Sequence, residues 1–115
     1  QDLKGSVFPF NYNHIDELEI IIQNHDIGVI KMEVSRNDEP QDDFLIKVRK
    51  IASENNIILI FDECTSGFRQ SNGGLHKLYG VEPDMAVFGK ALGNGYAITA
   101  VIGTREVMDI AQSTF

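Results

Sequence analysis

Two side chains of this sequence are placed to do carbonyl chemistry, the carboxylate of Asp62 and the amine of Lys90. Ile57-Ile58-Leu59-Ile60-Phe61 runs directly into Asp62, and Met85-Ala86-Val87-Phe88-Gly89 runs directly into Lys90. An ammonium that follows such a run starts in apolar surroundings, where desolvation lowers its pKa and makes the neutral amine available for Schiff-base chemistry. Bland readings stand beside this one. A strand-end Asp is a common helix cap or loop organiser, and a strand-end Lys can lay its stem on apolar surface and put its charge in water. Gly89, Gly93 and Gly95 either let a ligand approach the backbone or simply turn the chain.

The elements that must position these groups can be read from periodicity. Continuous runs rich in Ile, Val and Phe suit strands buried on both faces of a parallel sheet, whose carboxyl ends open onto the crevice where ligands bind. Asp62 and Lys90 would therefore reach one edge of one sheet. An acid and a Lys held apart at such an edge is what a pyridoxal phosphate site needs, the acid pairing with the ring nitrogen and the Lys with the aldehyde.

Upstream, Asn13 reads as an N-cap, and Ile15, Leu18, Ile21 and Ile22 predict a helix through Asn24. Residues 27–34 predict a buried strand that ends near Glu33. After the turn Asn37-Asp38-Glu39-Pro40, the stripe Phe44, Leu45, Val48, Ile51 and Ala52 predicts a second helix, stopped by Asn55-Asn56. Strand, helix and strand with short connections form a right-handed parallel unit. A polar loop follows Asp62, then a short helical stretch over 75–79, the strand ending at Lys90, a further strand over 97–102, and a last helix capped by Thr104.

Composition bounds the function classes. With 115 residues and 43% hydrophobic content the chain can build a packed core, as one small domain or part of a larger one. Ten basic against seventeen acidic residues give a net charge of −7, which argues against nucleic acid and anionic membranes as partners. No apolar stretch reaches the roughly 18 residues of a membrane span, and the start shows no apolar export signal. A lone Cys64 fits a reducing cytoplasm. The acidic cluster Asp38, Glu39, Asp42 and Asp43 reads as a solvated turn, and His14 and His25 as surface residues. His76 has no second His or Cys at ligand spacing, so no metal is expected.

The string Phe61-Asp62-Glu63-Cys64-Thr65-Ser66-Gly67-Phe68-Arg69, then Pro83-Asp84, then Phe88-Gly89-Lys90-Ala91-Leu92-Gly93-Asn94-Gly95, resembles the class III pyridoxal-phosphate aminotransferases, in particular the branch of glutamate-1-semialdehyde aminomutase. The likeness runs from about Ile27 to Gln112, and the Asp-Glu-x-x-x-Gly-Phe-Arg string joined to a Gly-Lys-x-x-Gly-x-Gly string 28 residues on, from Asp62 to Lys90, is highly specific. It implies an α/β fold, with residues 1–115 forming part of the large domain of a fold-type I transferase. That part would be a mostly parallel sheet with flanking helices, lacking the phosphate cup and the small domain.

The resemblance also implies roles. Lys90 would carry the cofactor pyridoxal 5'-phosphate and shuttle the substrate proton, and Asp62 would pair with the ring nitrogen. Cys64, where relatives have Val, would pack on the ring. Thr65 stands where several relatives have a Gln, and Glu63 would organise the loop. Val34 replaces the family's Pro after the strand Glu, and this stretch is similar to members tied to sugar or surface-polysaccharide pathways. The expected activity is amino transfer between a small-molecule amino donor and a carbonyl acceptor, in a cytoplasmic homodimer. The rivals are an aminomutase and a non-catalytic α/β module. The 115 residues alone are expected to be inactive.

Overall fold

A computed structural model of the chain describes residues 5–112. Its centre is a four-stranded sheet in the order β1 (Val29–Glu33), β2 (Ile58–Asp62), β3 (Met85–Phe88) and β4 (Ala100–Gly103). The first three strands are parallel, with Glu33 opposite Asp62 and Asp62 opposite Val87. β4 returns antiparallel to β3, Phe88 facing Ala100. The reversal follows from the short path between them. Eleven residues, largely a turn about Gly93, suffice for an antiparallel return, whereas a parallel one needs a crossover of a dozen or more. β1, β2 and β3 lie where the runs predicted them, trimmed at their ends, whereas β4, expected over 97–102, starts at Ala100 and runs on to Gly103.

Helix α1 (Ile15–Asn24) buries Leu18, and α2 (Phe44–Glu54) buries Phe44, Leu45, Val48 and Ala52. These side chains meet Ile30, Val34, Leu59 and Phe61 in one core. Each such burial of a Val, Leu, Ile or Phe contributes about 1.5–3 kcal/mol. Helix α3 (Arg105–Gln112) follows β4, and the Thr104 carbonyl accepts its first bond from Met108 N at 3.0 Å. Asn13 does not cap α1. His14 occupies that position, and Asn13, at φ 65°, accepts from Gln41 N and donates to the Glu39 carbonyl, tying the start of α1 to the loop before α2.

The sheet is covered unequally. Ile30, Leu59, Phe61, Ala86 and Phe88 point toward the core and are buried. On the other face Val29 is 52% exposed, Lys31 is exposed, and Ile58, Ile60, Asp62, Met85 and Val87 are partly so. Within these residues, which span about a quarter of the length of full relatives, only one face of the sheet is covered. Helices α1 and α2 both pack into the core on that covered side.

Candidate active site

Asp62 is the last residue of β2, and Lys90 stands two residues past the end of β3, on the neighbouring strand. Both parallel strands thus deliver a charged group to the same edge, as the apolar runs predicted. Side-chain alternation then separates Asp62 from its neighbour Glu63. Asp62 turns to the open face, whereas Glu63 turns into the packed one, its N–H still extending the ladder to the Val87 carbonyl at 2.8 Å.

Lys90 begins a short 3-10 turn, Lys90–Leu92, and sits in the left-handed region at φ 44°. Among the described non-glycine residues with positive φ, five are Asn or Asp, which tolerate it; the two others are Phe68 and Lys90. Such strain persists where surrounding structure holds it, commonly at a functional site. Here the surroundings are visible. The Lys90 ammonium donates to Thr65 Oγ1 at 2.8 Å, and the Phe68 ring packs edge-on against Phe88, two residues before Lys90.

Gly67 makes that packing possible. A Cβ there would lie 2.6 Å from Phe88 Cδ1 and 2.8 Å from the Glu63 carbonyl, too close for any side chain. Gly93 is required in the same way by the chain itself, since its Cβ would meet the Tyr96 carbonyl at 2.2 Å. Gly89 is under no such constraint, its nearest contact being Cys64 Sγ at 3.4 Å.

The Asp62 carboxylate has two partners. Oδ1 accepts from Cys64 N at 3.1 Å, and Oδ2 pairs with Lys31 Nζ at 2.9 Å. The Lys31 bond, opposed by partial burial and helped by Cys64, holds Asp62 below the usual carboxylate range, so it is ionised at neutral pH. The Cys64 thiol moves the other way. Burial and then the neighbouring Asp62 push it above its ordinary value, so it stays neutral and can act as a small apolar surface. Asp62, Cys64, Thr65 and Lys90 thus share one edge, although Asp62 and Lys90 each bond to other partners.

Two features went unread in the sequence. One is Lys31, inside an apolar strand. The other is a buried polar hub on the opposite face. Glu63 is fully buried, and its Oε1 accepts from His76 N at 2.9 Å and from His76 Nδ1 at 2.8 Å, while its Oε2 accepts from Ser66 Oγ. An ionised carboxylate only accepts, so the His76 proton lies on Nδ1. Burial raises the Glu63 pKa, but the bonds from Ser66, His76 and Leu75 outweigh it and bring it below the usual Glu range. His76, expected only to lack metal partners, is in fact buried and clamps the loop between Asp62 and the 3-10 helix Leu75–Tyr79. The sequence signal was available in the pairing of a buried-strand Glu with a His, but a separation of thirteen positions hides the contact. Asp84 is a second fastener, accepting from Arg49 Nη1 at 2.8 Å and Leu59 N at 2.7 Å.

Among the described residues no group of three or more His, Cys, Asp or Glu could hold a metal ion, and no helix is long and apolar enough to cross a membrane. The residues present do fit a pyridoxal ring. They offer an ionised carboxylate for a ring N–H, an amine for an aldehyde, and a neutral thiol beside them.

Comparison with known proteins agrees with this geometry. The model of the family described as aminotransferase class-III matches residues 38–114. The chain is 41% identical to 3-aminobutyryl-CoA aminotransferase of Cloacimonas acidaminovorans, over 94% of its own length and 28% of the relative's. It is 47% identical to glutamate-1-semialdehyde 2,1-aminomutase of Nitrosopumilus maritimus, over 86% of its length and 24% of the relative's. Among solved structures it superposes on the FumI protein of Sphingopyxis sp. MTA144 in a PLP internal aldimine form. That match has a TM-score of 0.85 at 28% identity and covers 92% of this chain and 28% of that one. The chain thus spans about a quarter of the length of the curated relatives.

Proposed function

Because the chain belongs to the class III aminotransferase family, we propose that it is the lysine-bearing part of the large domain of a pyridoxal-phosphate-dependent aminotransferase. The observation that carries this reading is the delivery of Asp62 and Lys90 to one edge by adjacent parallel strands.

When bound, the cofactor's ring would supply an electron sink for a substrate carbanion. Lys90 would hold it covalently through Nζ and, once displaced by substrate, move the proton at the substrate carbon as general base and acid. Thr65 holds that amine at 2.8 Å in a fixed direction. Asp62 would accept the ring N–H, its charge making the protonated ring favourable. Cys64 would pack against the ring as a neutral surface.

The amino donor and carbonyl acceptor are small molecules in this reading. The relatives' names, a CoA-thioester aminotransferase and aminomutases, lend no support to a sugar acceptor. Aminomutation stays as the second reading, favoured by the 47% identity to the Nitrosopumilus aminomutase. A cytoplasmic homodimer completes the proposal, and the net charge of −7 supports a protein that binds neither nucleic acid nor an anionic membrane. The half-open sheet face supports a longer working enzyme, so residues 1–115 alone should give no steady turnover with pyridoxal phosphate and an amino donor.

The test reduces the intact polypeptide carrying this chain with borohydride in the presence of pyridoxal phosphate, then maps the labelled peptide. Label on Lys90 and keto-acid release from an amino donor are expected. Label confined to another lysine would overturn the assignment.

A further inference from the structure

Lys31 is out of place by the ordinary rules of a strand. It interrupts the apolar run Val29-Ile30-Lys31-Met32 of β1. A lysine on an edge strand commonly guards against edge-to-edge pairing, with its charge free in water. This one does something else. It lies opposite Ile60 in the register and reaches diagonally along the open face to Asp62, two residues on, closing to 2.9 Å. The side chain is 59% exposed, so the reach is made although water was available.

We propose that Lys31, by sharing the Asp62 carboxylate with the cofactor's ring nitrogen, limits how tightly that nitrogen keeps its proton. The inference rests on the proposed function. With Oδ1 on Cys64 N and Oδ2 on Lys31, the carboxylate is oriented from both sides before any ring arrives. A carboxylate has about four lone-pair positions, so it can accept a ring N–H without releasing either partner. The ring proton then faces a carboxylate already partly neutralised, beside a second positive charge. Both effects weaken its hold, because like charges disfavour each other. The charged and titratable groups around the pair are Lys31 and Glu33 on β1, Asp62 and Cys64 at the end of β2, and Lys90 beyond β3.

The experiment uses the intact enzyme loaded with pyridoxal phosphate carrying ¹⁵N in its ring, and reads the ring-nitrogen resonance against pH. In Lys31→Met the nitrogen should keep its proton to a pH about one unit higher than in wild type, and the cofactor should dissociate more slowly. Lys31→Arg, which keeps the charge, should match wild type. Lys31→Gln serves as a second neutral variant should the Met form fold poorly. A titration and dissociation rate unchanged in the neutral variants would show Lys31 to be an ordinary strand lysine and overturn the proposal, as would weaker cofactor binding. A ring-nitrogen signal indifferent to Asp62→Asn, or cofactor not fixed to Lys90 by borohydride, would bring down the underlying functional reading and this inference with it.

Discussion

Asp62 and Glu63 are adjacent carboxylates with opposite fates. Asp62 lies on the open face, 26% exposed, with one exposed lysine and one backbone N–H as partners. Glu63 lies on the packed face, fully buried, and is met by a serine hydroxyl, a backbone N–H and an imidazole N–H. Burying a carboxylate is tolerable only when donors replace its water, and Glu63 has that full set. Asp62 does not need it, and retains room for a further partner. The comparison teaches that the same functional group is structural where it is saturated and available for chemistry where it is not.

The comparison can be broken most decisively at Lys90, which shares the Asp62 edge. Lys90→Ala in the intact enzyme should abolish borohydride-fixed cofactor and all measurable turnover, with a thermal midpoint near wild type because the side chain is exposed. Mass mapping and a melting curve check both halves. Next in size is Asp62→Asn, which keeps shape and removes charge. Several pKa units lost at the ring nitrogen, at about 1.4 kcal/mol each, predict single-turnover proton abstraction slowed on the order of a hundredfold or more, with little change in denaturant midpoint. Unchanged kinetics would remove Asp62 from the site.

Glu63→Ala should invert that pattern. Leaving Ser66 and His76 without their acceptor in a dry site costs about 3 kcal/mol, read as a fall in urea midpoint. Its pH signature sharpens the contrast. The native carboxyl has a lowered pKa, so it contributes stability above the ordinary Glu range and loses it as pH falls through the native value. Acid unfolding should therefore begin at higher pH in wild type relative to its own neutral stability than in Glu63→Ala, where this component is gone. The smallest effect belongs to Lys50→Ala. Its pair with Glu54 is 3.8 Å long and open to water on both sides, worth about 0.3 kcal/mol. A loss above about 1 kcal/mol there would show that exposed pairs in this chain behave unlike the general case.

Much of the molecule was legible from local pattern. Leu18 of α1 and Phe44, Leu45, Val48 and Ala52 of α2 were readable because a helix must put every third or fourth residue on one face. Asp62 and Lys90 were readable because each ends an apolar run. Lys31 was not, because one polar residue in such a run says nothing about what lies diagonally across the next strand. Asn13 looked like a cap by residue type, yet its partners are Glu39 and Gln41, supplied by a loop far along the chain.

The sequence by itself determined most of which residues form strands and helices, and that an acid and an amine follow two of the apolar runs, since side-chain period and apolar runs are properties of neighbours along the chain. Only the tertiary structure decided that β4 runs backward, that Lys31 shares Asp62, and that His76 is buried against Glu63. Those outcomes depend on which elements lie side by side in space. Burial and hydrogen bonding act across that distance, and no periodicity within a single segment encodes them.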